Sequence, residues 1–221
     1  KCKGLQVDDF IVEMDWSDDL RSLQKICRQI FDITPSLVTN LPRSDYWKEV
    51  FETSDSYWRS RMWNKIKARN IVHRPEYHEL GRLIDKFHLQ GDILFFVTCP
   101  EITPVFIPHR HPGESPFNYA GALMLPIVGT GTGSITKYAH WHDPEDNKSI
   151  DSYNYIKGRP EQTLIPDEEV AVEYCLHEKP ALFNRHQFHQ VYNPTEQLRV
   201  VAHIVYDTES WEECKELSLI R

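Results

Sequence analysis

The sequence predicts an α+β fold in which N-terminal helices pack against one sheet of a jelly-roll core. Amphipathic 3.6-residue periodicity is confined to residues 1–90, and from Gly91 onward short apolar runs alternate with Pro, Gly, Asp and Asn. The chain has 221 residues, 40% hydrophobic and 12% aromatic, enough to bury one large core without disulfides. One domain over 1–221 is therefore expected, with a mainly helical part at 1–90, the strand core at 91–207 and a tail at 208–221.

Three helices are expected first. Leu20, Leu23, Ile26, Cys27, Ile30 and Phe31 recur at three and four across 16–32. Trp47, Val50, Phe51, Tyr57, Trp58, Met62 and Ile66 do so across 45–69, with a break near Ser54–Ser56. Tyr77, Leu80, Leu83, Ile84 and Phe87 form one stripe across 75–89. These aromatics are expected to pack the helices onto the sheet. The strand candidates follow as ILFFVTC (93–99), PVFI (104–107), YAGALMLPIV (119–128), GSITKYAHW (133–141), VAVEYCL (170–176), PALF (180–183) and LRVVAHIVYD (198–207). Seven or eight short strands separated by turn residues indicate a barrel or sandwich of the jelly-roll kind. GTGTG (129–133) lacks the strand-to-helix context of a phosphate cradle and reads as a hairpin turn. The polar stretch 142–168 is long for a connection and suggests a loop over a functional site.

Charge and cysteine usage narrow the function. A net charge of −8 disfavours nucleic acid or an anionic membrane as the main partner, because both select a basic surface. Neither a signal peptide nor an apolar stretch long enough to span a bilayer is evident. The five cysteines at 2, 27, 99, 175 and 214 are dispersed and form no C-x-x-C pair, which points to the cytoplasm or another reducing compartment. Cys99 and Cys175 sit in apolar runs and are expected to be buried thiols.

Two histidine segments carry the chemistry: PHRHPGE (108–114) and FNRHQFHQVYNPTEQLR (183–199). Imidazole is the commonest metal ligand because its neutral ring nitrogen is available at physiological pH. His109 and His111, spaced i, i+2, chelate one ion only on an extended backbone, and Pro108 and Pro112 favour that form. In the second segment PALF reads as a strand, NRHQF as a turn and LRVVAHIVYD as a long strand. Arg199, Val201, His203 and Val205 share one face of that strand, and Val200, Ala202, Ile204 and Tyr206 the other. A guanidinium among aliphatics is costly unless a carboxylate answers it, from a structural acid or from a ligand.

The run from Phe106 to Asp207 resembles the double-stranded β-helix core of the Fe(II)/2-oxoglutarate-dependent oxygenases. Within that superfamily, TPVFIPHRHP (103–112) followed by GALMLPIVG (121–129) is most similar to the aspartyl/asparaginyl-hydroxylase-like branch. The resemblance implies that His109 is the first metal ligand, His189 the distal ligand, and Arg199, ten residues on, the group that binds the far carboxylate of 2-oxoglutarate. His111 stands where the common pattern has Asp. Three ligand sets stay open: His111 coordinates, Glu114 supplies the carboxylate, or the position is left to water or chloride. The implied cofactors are Fe(II), 2-oxoglutarate and O2, and the implied reaction is hydroxylation of a small molecule or an amino-acid or peptide side chain. Tyr138, Thr136 or Tyr119 would assist Arg199. Lys137 is a rival anchor, and strand alternation puts it on the face opposite Thr136 and Tyr138.

The same residues resemble a second family. His109-x-His111, Glu114 and Gly121 are similar to the first cupin motif, and His189-x-x-x-Asn193 to the end of the second, with His186 in place of its glycine. A cupin would use His109, His111, Glu114 and His189 as four ligands and would have no special need for Arg199. A non-catalytic jelly-roll binding module is the third reading.

Overall fold

The computed structural model describes residues 7–38, 45, 62–67, 71–72, 74–98, 119–129, 133–139, 165–176 and 179–219. Helix α1 (Asp18–Val38) begins where Ser17 Oγ accepts from the Leu20 amide at 3.3 Å, with Asp18 and Asp19 in its first turn. Both features satisfy or complement the free amides of a helix start. Its stripe of Leu20, Leu23, Ile26, Cys27, Ile30 and Phe31 is buried as the periodicity predicts. Helix α2 (His78–Lys86) follows a 3-10 turn at Pro75–Tyr77 and buries Leu80, Leu83 and Ile84. The two helices are tied by Asp19, which pairs with Arg82 at 2.7 Å and with Lys86. Lys86 and Arg82 hold the Asp19 carboxyl below its usual range.

The strands form two antiparallel sheets. With β1 (Ile11–Glu13), β2 (Met62–Lys67), β3 (Leu89–Thr98), β4 (Gly121–Val128), β7 (Ala181–Asn184) and β9 (Arg199–Tyr206), the larger has the order β1-β7-β4-β9-β3-β2. The smaller, from β5 (Ile135–Ala139), β6 (Val170–Tyr174) and β8 (Phe188–Tyr192), has the order β6-β5-β8. β9 lies centrally in the larger sheet and all eight of its residues are buried. The expected division of its faces holds. Val200, Ala202, Ile204 and Tyr206 join the cluster under α1 and α2, where Phe31 meets Phe95 at 5.4 Å between ring centroids. Val201 and Val205 join Phe10, Ile11, Ala122, Ala181, Phe183 and Tyr138 in a second cluster. Because Tyr138 belongs to β5, this second cluster is the contact between the sheets.

Several expectations need correction. The C-terminal end of the helix expected over 45–69 is strand β2, paired antiparallel with β3 from Met62↔Val97 to Lys67↔Asp92; an open sheet edge outweighs local helical periodicity here. Phe188, assigned to a turn, opens β8, which the expected strand set omits. Gly129 and Gly133 flank a crossover between sheets, since β4 and β5 do not pair, so GTGTG is no hairpin turn. The tail carries helix α3 (Trp211–Ser218), whose cap Ser210 accepts from the Glu213 amide. Cys175 is half-buried, while Cys27 and Cys214 are buried. The expected strand at 104–107, Cys99 and most of the connection 142–168 lie outside the described residues. Among the described residues no helix is long and apolar enough to cross a membrane.

Candidate functional site

The geometry of the site follows from strand parity. In β8, His189 pairs with Tyr138 across the ladder to β5, and Val191 with Thr136. Directly opposed residues share a face. Phe183 of the larger sheet meets the His189 ring at 4.7 Å, edge to face, and Tyr138 lies 6.0 Å from each of these rings. The face of Thr136, Tyr138 and His189 therefore looks toward the larger sheet. Lys137 takes the opposite face: it pairs with Asp167 at 2.7 Å and Glu173 at 3.3 Å and lies over the Tyr192 ring. On that outer face Gln190 Oε1 accepts from the Ile165 amide at 3.0 Å and from the Tyr192 hydroxyl at 2.5 Å.

His189 is buried, and its Nδ1 lies 3.0 Å from the Gln187 carbonyl oxygen. A carbonyl only accepts, so Nδ1 is the protonated nitrogen, and in the neutral ring Nε2 is the one that carries the lone pair. A backbone carbonyl on one ring nitrogen is the arrangement that orients a metal-ligating imidazole and raises its basicity. Of the expected ligands, His189 alone falls among the described residues; His109, His111 and Glu114 lie outside them. Among the described residues no three His, Cys, Asp or Glu side chains converge.

Arg199 opens β9 on the face that looks at the smaller sheet. It is 5% exposed, and its Nε has no hydrogen-bond partner among the described residues. No described carboxylate pairs with it, so a structural acid among those residues is not what answers its charge. Burial draws its pKa down to about 10. The same burial pushes the Tyr138 hydroxyl well above the usual phenol range, with Arg199 opposing part of the rise. The Tyr138 hydroxyl likewise has no partner among the described residues. Two buried donor groups with no described acceptor fit an oxyanion.

The sequence placed His203 on the Arg199 face without a role, and did not bring Phe183 beside His189. His203 lies 5.6 Å from Phe183 and 5.1 Å from Phe96 between ring centroids, and its pKa is drawn down to about 3 by burial and by the charge of Arg185. Its parity with Arg199 was visible in the sequence. The approach of Phe183 depends on cross-strand register and sheet packing, which no local pattern encodes.

No family model and no curated protein matches the chain. Among solved structures it is similar to the non-heme alpha ketoglutarate dependent carbocyclase SnoK from nogalamycin biosynthesis, with a TM-score of 0.47 and 13% identity over 89% of this chain and 78% of that one. It is similar to AviO1 from Streptomyces viridochromogenes Tue57, with a TM-score of 0.46 and 13% identity over 91% and 90% of the two chains. A Pseudomonas putida prolyl-4-hydroxylase gives a TM-score of 0.40 and 10% identity over 89% and 90%.

Proposed function

We propose that this chain is a non-haem Fe(II)- and 2-oxoglutarate-dependent oxygenase that hydroxylates a small molecule or an amino-acid or peptide side chain. The observation that carries the reading is Arg199, a buried guanidinium without a described carboxylate, on a face directed at the sheet of His189 and Tyr138. A charge left in that position is expensive unless a ligand brings the counter-charge. The wound connectivity supports a double-stranded β-helix: β4 pairs with β7 and β5 with β6, so one two-stranded ribbon bends across both sheets. The PHRHP segment and its apolar sequel support placement near the aspartyl/asparaginyl-hydroxylase-like branch.

In this reading His109 and His189 hold the metal, with His111, Glu114 or solvent completing the set. Fe(II) bound there would couple O2, the oxidant, to two two-electron donors: 2-oxoglutarate, decarboxylated to succinate and CO2, and the substrate C–H bond, which becomes C–OH. The chain's own residues bind and orient. His189 offers Nε2 because Gln187 fixes its tautomer. Arg199 receives the distal carboxylate, with the Tyr138 hydroxyl or Thr136 beside it. Phe183, Phe10, Val201 and Val205 keep the space between the sheets apolar, which strengthens the ion pair formed there.

The test is 2-oxoglutarate binding and succinate release by the Fe(II)-loaded protein. Arg199→Ala is expected to weaken 2-oxoglutarate binding at least tenfold with metal content unchanged, because a charge-assisted bond is lost. His189→Ala and His109→Ala are expected to lower metal occupancy, and the stronger of His111→Ala and Glu114→Ala identifies the third ligand. Lys137→Ala leaves both unchanged. Metal binding without any 2-oxoglutarate binding sinks this reading and leaves the cupin-type one.

A further inference from the structure

His203 stands on β9 between two apolar cross-strand partners, Leu94 of β3 and Met124 of β4. By strand parity all three point between the sheets, as Phe96 does. On the helix side of the same strands the packing is sealed: Phe95, Val97, Leu123 and Leu125 are fully buried. Between the sheets Leu94, Phe96 and Met124 are half-buried. Around His203 the larger sheet is therefore closed on one face and open on the other.

About 13 Å of strand, four residues, separates His203 from Arg199, so His203 does not belong to the anion end of the space. Phe183 ties it to the other end: its ring lies 4.7 Å from that of His189 and 5.6 Å from that of His203. Phe96 continues the row at 5.1 Å from His203. Four rings thus lead from the candidate metal ligand to the half-buried face of β3, at the separations where aromatic pairs attract. The row is uncharged at its centre, because burial and the Arg185 charge keep the His203 imidazole neutral.

We propose that His203 and Phe96 form the substrate-binding wall of this site and that the substrate lays an uncharged, flat ring against it. This rests on the reading given above, in which His189 holds the metal. A planar group adds to the row of rings through the same offset or edge-to-face contacts, whereas a puckered aliphatic ring of equal size gains burial alone. An ammonium group would lose its water and meet the Arg185 charge instead of a counter-charge. Because Phe183 packs against both imidazoles, a ring held at this wall lies beside the metal end of the space and leaves the Arg199 end to the co-substrate.

The experiment is saturation-transfer NMR on the protein loaded with 2-oxoglutarate and with Zn(II) as a diamagnetic stand-in. Three probes of similar size are titrated: benzyl alcohol, cyclohexylmethanol and benzylamine. The parent is expected to bind benzyl alcohol about fivefold more tightly than either of the others. His203→Ala is expected to weaken benzyl alcohol about tenfold and Phe96→Leu about threefold, while His203→Phe, which keeps a ring, binds it nearly as the parent does. Affinity for 2-oxoglutarate and zinc content should stay at the parent values in all three variants, which also reports that each is folded. Equal affinity for the three probes, or benzyl alcohol affinity unchanged in both His203→Ala and Phe96→Leu while 2-oxoglutarate still binds, overturns the wall and leaves the oxygenase reading standing. A parent protein that does not bind 2-oxoglutarate overturns both.

Discussion

Tyr138 stands directly across the β5–β8 ladder from His189, with ring centroids 6.0 Å apart, and its buried hydroxyl has no hydrogen-bond partner among the described residues. Tyr206 offers a comparison: its hydroxyl is equally buried and equally without a described partner, but it lies in the cluster under the helices. An unanswered hydroxyl costs roughly 1–3 kcal/mol, and removing it together with its need for a partner is close to neutral or stabilising. Tyr138→Phe and Tyr206→Phe are therefore both expected to leave the ligand-free protein at least as stable as the parent. Only Tyr138→Phe should weaken 2-oxoglutarate and shrink the rise in melting temperature that this ligand produces. Thermal denaturation with and without 2-oxoglutarate reads both effects, and identical behaviour of the two variants would assign Tyr138 to the core alone.

How much of this was legible beforehand depends on the range of the interaction. The face division of β9 was readable because period-two alternation in LRVVAHIVYD is local, and the stripes of α1 and α2 were readable for the same reason. Strand β2 was not, because Met62 and Ile66 are spaced for a helix as well as for a strand and the deciding partner, β3, is remote in sequence. Helix α3 was missed despite a readable signal, Ser210 followed by Glu212 and Glu213. At the site, His189 and Arg199 are recognisable from side-chain chemistry and spacing. Phe183 carries no such signature, and only its approach to the His189 ring gives it meaning.

His203 makes a prediction about acid stability. Burial and the neighbouring Arg185 charge draw its pKa down to about 3, below the ordinary value of 6.5. The folded protein therefore holds this ring neutral while the unfolded chain protonates it. Stability from this group is fully present above about pH 6.5 and is lost as pH falls toward 3, by up to about 1.4 kcal/mol per pH unit. His203→Phe is expected to flatten the decline of stability between pH 6 and 4 in denaturant titrations. A decline of the same slope in the variant would place the acid sensitivity in other groups.

Gly129 tests whether the position of Arg199 is set by its neighbours' backbone. Gly129 directly follows β4 with φ of 61°, and a Cβ there would sit 1.9 Å from the Leu198 carbonyl oxygen and 3.5 Å from Arg199 Cα. A left-handed conformation costs a side-chain-bearing residue about 1–3 kcal/mol. The collision adds to this, because a backbone oxygen cannot rotate away as a side chain does, so Leu198 and Arg199 must shift. Gly133 separates the two contributions. Its φ is 92°, but among the described residues a Cβ there meets only Thr195 Cγ2 at 3.4 Å. Gly133→Ala is thus expected to lower the melting temperature and leave 2-oxoglutarate affinity near the parent value. Gly129→Ala is expected to lower both, with the affinity loss appearing in calorimetry at temperatures where the variant is fully folded. If Gly129→Ala loses stability alone, the start of β9 tolerates displacement and the carboxylate follows the flexible reach of the arginine side chain rather than a fixed backbone.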